Sequence, residues 1–174
     1  MNQNDQILYQ ERLSSTRTQA LFAILAVLFA AFAFWRGSVS GFSGWTVALT
    51  VFSLFFLFYI VNYRVLHITL TDSSLTLNFG IFRWQVPLEN IAGCQLDHIA
   101  GFLYYGGAGI HFMMIDTRYR ASFNFLEYPR VVLAFKRSIG PVVDLSFSTK
   151  RPDELIQLIN PMISDPSNQT EDNQ

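Results

Sequence analysis

Leu49-Thr50-Val51-Phe52-Ser53-Leu54-Phe55-Phe56-Leu57-Phe58-Tyr59-Ile60-Val61-Asn62-Tyr63-Arg64-Val65-Leu66-His67-Ile68-Thr69-Leu70-Thr71 changes its periodicity at Arg64. Before Arg64, Leu49–Val61 places apolar residues all round a helix, where a half-buried helix of a soluble protein would carry one stripe. After Arg64, Leu66, Ile68 and Leu70 alternate with His67, Thr69 and Thr71, the period of a strand with one buried face. The fold is decided at this junction: a helix that suits lipid ends where a sheet begins.

Upstream, two runs carry no charge, Thr18–Trp35 and Gly37–Tyr63. A bilayer core about 30 Å thick needs roughly 20 helical residues at about 1.5 Å each. The first run just suffices. The second exceeds the requirement, with Trp45–Tyr63 as its expected core. A segment that crosses lipid must bond its own backbone groups, so both runs are expected to be helices. Trp35, Trp45, Tyr59 and Tyr63 lie near the run ends, where amphipathic rings suit the headgroup boundary. The connector Arg36-Gly-Ser-Val-Ser-Gly-Phe-Ser-Gly44 is Gly/Ser-rich and predicts a tight turn. Arg12 and Arg17 precede the first helix and Arg64 follows the second, against Arg36 alone between them, which favours both termini in the cytoplasm. Ala31-Phe32-Ala33 matches a signal-peptidase site, but Phe32, Phe34 and Trp35 carry the apolar run through it. No small-xxx-small face stands out within either run.

These runs explain a charged fraction of 14% in a chain of 174 residues, where soluble domains average about 25%. The expected organisation is an N-terminal segment 1–17, a helical hairpin 18–63, a β domain 64–164 and a disordered polar tail 165–174. The β domain has about a hundred residues, enough for one compact core and not two. One cysteine, Cys94, forms no internal disulfide, which fits a reducing compartment.

Downstream of Thr71, Asp72-Ser73 is a turn signal, and Leu75, Leu77 and Phe79 alternate up to Gly80. Phe82, Trp84, Val86 and Leu88 alternate again, completing a three-strand meander, and a fourth strand is expected over Ile91–Asp97. Apolar runs resume at Ile110–Ile115, Ala121–Phe125, Val131–Lys136 and Val142–Phe147, the last two joined by a hairpin turn at Ser138-Ile139-Gly140-Pro141. A final helix opens at Pro152, with Asp153 and Glu154 complementing its dipole. Leu155, Ile156, Leu158, Ile159 and Met162 form its apolar stripe, and Pro161 and Asp165-Pro166 are expected to limit it.

Ile68-Thr69-Leu70-Thr71-Asp72-Ser73-Ser74-Leu75, leading to Gly80-Ile81-Phe82-Arg83-Trp84-Gln85-Val86-Pro87-Leu88-Glu89-Asn90-Ile91, resembles the start of bacterial pleckstrin-homology-like (PH-like) domains carried by small membrane proteins. Tyr105-Gly106-Gly107-Ala108-Gly109-Ile110 and Phe147-Ser148-Thr149-Lys150-Arg151-Pro152-Asp153-Glu154-Leu155 resemble the second half of that group. The resemblance covers about Leu66–Ile163 and implies an α+β membrane protein. Its two transmembrane helices precede a mostly β, PH-like roll of about seven antiparallel strands with a C-terminal helix. It further implies an inner (cytoplasmic) membrane location. The shared motifs are turns and a helix start, so they speak to fold more than to function.

Candidate chemistry is sparse. Asp97-His98, His111 and Asp116 are the one set that suggests a metal or an acid–base pair, and their spacing matches no zinc signature. Cys94 lacks the context of a nucleophile. Gly106-Gly107-Ala108-Gly109 lacks the Gly-Lys-Ser/Thr end of a phosphate loop, and a sheet corner accounts for it better. No catalytic residue, metal or cofactor is expected. The best lead is basic: Arg118 and Arg120 at an expected strand connection, with Arg130, Lys136 and Arg137 flanking the next strand, inside the segment 118–151. Such residues near a leaflet attract anionic headgroups at about 1 kcal/mol each.

Three functions follow. A membrane-tethered interaction module would bind a protein partner or itself. A lipid reader would take anionic headgroups through Arg118, Arg120, Arg130, Lys136 and Arg137. An accessory subunit would serve a membrane enzyme or transport complex. The first is favoured, and nucleic acid is not among the expected partners.

Overall fold

A computed structural model describes residues 6–99, 108–115 and 117–164. The first described element is strand β1 (Ile7–Ser14), followed by helices α1 (Thr16–Ser40) and α2 (Gly44–Asn62). Strands β2 (Val65–Thr71), β3 (Ser74–Phe79) and β4 (Phe82–Pro87) follow, then a 3-10 turn at Leu88–Asn90. Strands β5 (Ile91–Leu96), β6 (Gly109–Ile115), β7 (Arg118–Asn124), β8 (Arg130–Ile139) and β9 (Val142–Ser148) precede helix α3 (Pro152–Ser164). Apart from β1, two long apolar helices, then strands, then a C-terminal helix follow in the expected order.

Both α1 and α2 are long and apolar enough to cross a membrane. Each has a serine at its N-cap: Ser15 Oγ accepts from Thr18 N and Ser43 Oγ accepts from Thr46 N, satisfying donors that a helix start leaves open. The helices pack through small residues. Ala26 and Ala33 of α1 are buried, as are Thr46 and Ser53 of α2. Ser53 Oγ donates to Ala26 O at 2.9 Å, and a Cβ on Gly37 would sit 3.5 Å from Thr46 Cγ2. Ala26, Ala33 and Gly37 thus form a small-residue face that lets the backbones approach. Uniform apolarity hides such a face from any sequence periodicity.

The first sheet runs β1-β2-β3-β4 and is antiparallel throughout. The meander β2–β4 is as the alternation predicts. β1 is an addition: the segment before the helices pairs with β2 from Ser14↔Val65 outward. The second sheet runs β5-β8-β9-β7-β6. The expected fourth strand is therefore β5, but it leaves the meander and pairs with β8. Among the described residues nine strands stand where about seven were expected. The pair β7–β9 is parallel, a departure from an all-antiparallel roll. The β8–β9 hairpin turns at Gly140, where φ is 60° and Ile139 faces Val142; glycine takes that left-handed conformation without a Cβ penalty.

The core lies between the sheets. Leu66, Ile68, Leu70, Leu75, Leu77 and Phe79 of the first sheet meet Phe123, Val131, Leu133, Leu145 and Phe147 of the second. Leu155 and Ile159 of α3 complete it, and each such buried side chain contributes about 1.5–3 kcal/mol. Pro161 does not stop α3, which continues to Ser164. Proline removes one backbone donor near the end of the helix, and there Ser164 Oγ donates to Asn160 O at 2.8 Å. The expected tail 165–174 and the loop around Gly106-Gly107 lie outside the described residues.

Candidate functional site

On the face of the second sheet turned away from the core, charge is buried. In β7, Arg120, Ser122 and Asn124 share that face, and in β9 Asp144, Ser146 and Ser148 do. The parallel register sets Arg120 beside Asp144 and Ser122 beside Ser146. Alternation explains the sharing, and the non-local β7–β9 pairing explains the meeting.

Arg118 grips Asp144 with two bonds: Nε to Oδ2 at 2.8 Å and Nη2 to Oδ1 at 2.6 Å. Arg120 Nη2 reaches Asp144 Oδ2 at 3.3 Å and its Nη1 lies 3.9 Å from Asp97 Oδ1. Arg130 Nε donates to Asp97 Oδ2 at 3.2 Å, and its Nη2 donates to Ile99 O. Ser146 Oγ donates to Asp97 Oδ2 at 3.2 Å. The Asp97 and Asp144 side chains are only 2% and 3% exposed, whereas Arg118 is half-exposed at 49%. Burial pushes the Asp144 carboxyl up. The hydrogen bonds and charges of Arg118 and Arg120 outweigh burial and hold it below the usual carboxylate range.

Beside the network, Ser122 Oγ and both amide atoms of Asn124 are buried and have no hydrogen-bond partner among the described residues. A buried polar group left in that state costs about 1–3 kcal/mol.

Arg118 opens β7 straight after the β6–β7 connection and Arg120 lies within β7, while Arg130, Lys136 and Arg137 all belong to β8. Arg118, Arg120 and Arg130 share two carboxylates, while Lys136 and Arg137 are exposed at the other end of β8. There Asn90 holds the Arg137 backbone, Oδ1 accepting from its N at 2.8 Å and Nδ2 donating to its O at 3.0 Å. Three of the five basic residues, Arg118, Arg120 and Arg130, therefore already have carboxylate partners. His111 Nε2 lies 2.9 Å from Ala108 O, and Asp97 is committed to arginines. Asp116 lies outside the described residues. No group of three His, Cys, Asp or Glu side chains suited to a metal occurs among the described residues. Burial pushes the Cys94 thiol up to about 12, leaving it protonated and a poor nucleophile.

The sequence reading missed Asp144 as a partner and Asp97 as a hub. The readable signal was the alternation Arg118-x-Arg120-x-Ser122-x-Asn124 against Asp144-x-Ser146-x-Ser148. Comparison with family models, curated proteins and solved structures returns no match.

Proposed function

We propose that the chain is a membrane-anchored interaction module whose β domain docks a protein through the open edge of β6. The observation that carries this is the state of that edge. Among the described residues β6 pairs on one side only, with β7, and its Phe112 and Met114 side chains are 52% and 69% exposed. Trp84 of β4 lies beside Phe112, ring centroids 6.2 Å apart. An unpaired edge with exposed apolar side chains invites strand addition.

Membrane anchoring is supported by α2, where Val51, Phe52, Leu54, Phe55, Leu57, Phe58 and Val61 are all exposed. Water disfavours such a surface and lipid does not. The direct pairing of β1 with β2 supports both ends of the hairpin lying on one side of the membrane. The Lys/Arg bias then favours the cytoplasmic side of a bacterial inner membrane. The PH-like likeness is kept as part of this proposal, with the parallel β7–β9 pair as its departure. Anionic-lipid recognition is the weaker reading, because Arg118, Arg120 and Arg130 already share Asp97 and Asp144. An accessory role in a membrane complex is the same proposal with the complex as partner.

A photo-crosslinking amino acid at Phe112, in the native membrane, tests it against the same probe at exposed Asp72. A defined adduct from 112 alone supports the module, its mass separating a second copy from another protein. Equal labelling at both sites, or none, refutes docking at β6.

A further inference from the structure

The end of the β domain where the helices enter carries its own apolar tips. Ser15 alone separates β1 from α1, and Tyr63-Arg64 alone separate α2 from β2. Gln19 Nε2 at the start of α1 reaches Arg64 O at 3.5 Å, so both helices join the domain at one place. Two loops flank that place.

The first is the β3–β4 turn. Gly80 has φ 62° and lies on the end of α2, where a Cβ would sit 2.8 Å from Asn62 Cα. The turn is thus held against the helix with no room for a side chain. Tyr63 stacks on Phe82, centroids 6.0 Å apart at 21°. The tip is Ile81, 72% exposed, and Phe82 is 39% exposed. The second is the β7–β8 loop. Tyr128 donates its hydroxyl to Ser14 O at 2.8 Å, and Glu127 lies 3.6 Å from Arg17 of α1. Its neighbour Leu126 is exposed. Among the described residues beyond α2, the other large exposed apolar side chains are Phe112 and Met114 on the β6 edge.

We infer that Ile81, Phe82 and Leu126 form a seat that enters the interface of the bilayer holding α1 and α2. The surface is continuous with the two spans, and the inference rests on the membrane-spanning reading above. Arg17, Arg64 and Arg83 are exposed nearby and suit the headgroup level. The domain then rests on its own membrane at a set tilt, with no linker to swing on.

The test uses the full chain with Cys94→Ala, an environment-sensitive fluorophore on one introduced cysteine, and phosphatidylcholine vesicles with or without an acyl-chain spin quencher. The positions are Ile81→Cys, Leu126→Cys, Leu54→Cys within α2 and Asp72→Cys at the β2–β3 turn. Circular dichroism checks that each variant is folded. Lipid quenching and a blue shift at 54, 81 and 126, with neither at 72, is the expected result. Quenching at 54 without quenching at 81 and 126 overturns the seat and leaves the anchor standing. No quenching at 54 overturns the anchor, and the seat with it.

Discussion

The side-chain amide of Asn160 pairs with the backbone of Cys94 as another strand would: Oδ1 accepts from Cys94 N at 3.0 Å, and Nδ2 donates to Cys94 O at 3.1 Å. β5 is an outer strand of its sheet, and α3 covers its free edge with this one residue. A covered edge resists pairing with other chains, whereas β6 at the opposite end of the sheet has no such cover among the described residues.

Replacing Asn160 by Ala leaves both Cys94 groups without that partner and should cost about 1–3 kcal/mol. Asn160→Asp keeps the acceptor but faces Cys94 O with a carboxylate, so it should be no better than Ala. Thermal unfolding in detergent micelles, followed by circular dichroism, checks the order. Wild-type melting in Asn160→Ala would mean that the edge needs no cover.

Asp144 makes stability depend on acid. Its folded pKa lies below the ordinary 3.8. The favourable term is therefore complete above roughly pH 4 and is lost as pH falls through the lower folded value. Asp144→Asn should flatten the acid limb of a stability–pH curve relative to wild type. At neutral pH, Asp144→Ala leaves Arg120 buried and should cost about 3 kcal/mol. That is the low end for a broken buried pair, because half-exposed Arg118 regains water. Parallel acid limbs in wild type and Asp144→Asn would count against the network as the cause.

Glu11 ties the first strand to the end of the second sheet. Its carboxylate accepts from the Tyr9 hydroxyl at 2.8 Å, Thr149 Oγ1 at 2.6 Å and Lys150 N at 3.0 Å, while Arg151 stacks over the Tyr9 ring at 4.4 Å. Burial is the main reason that the Tyr9 hydroxyl is pushed up to about 12, so it stays a donor throughout the neutral range. Glu11→Ala should cost about 2–3 kcal/mol, as charged acceptors do when three donors lose them. It should also open the chain before Thr16 to limited proteolysis, with cleavage mapped by mass spectrometry. An unchanged digestion pattern would show that β1 is held by β2 alone.

Cys94 should resist alkylation in the folded protein near pH 8, being 5% exposed with a thiol pushed up to about 12. Unfolding should release the full reactivity of a free thiol. Fast labelling of the native protein, timed by mass shift, would contradict that burial.

What the sequence displays is what is local. The helical hairpin, the β2–β4 meander, the β8–β9 turn and the start of α3 each follow from composition or periodicity within one short stretch. β1 escapes because its inward side is Tyr9, Glu11 and Leu13, so a carboxylate interrupts the apolar alternation and its buried role appears only beside Thr149 and Lys150. Arg118 and Arg120 look like a solvated basic strip until the parallel β7–β9 pairing, joining segments two strands apart in sequence, brings Asp144 between them. Asp97 meets Arg130 for the same non-local reason. Likewise, the packing face of α1 is invisible because Ala26 and Ala33 differ from their neighbours in size, not in polarity.

β1 and β2 are neighbours in the sheet, yet the whole helical hairpin is spliced between them. During synthesis β1 leaves the ribosome first and has no partner until two long helices and Arg64 have followed it. The first sheet therefore closes only after both helices have been made and the chain has come back to β2. On the membrane-anchored reading proposed above, completion of that sheet becomes a report that both ends of the hairpin have returned to one side.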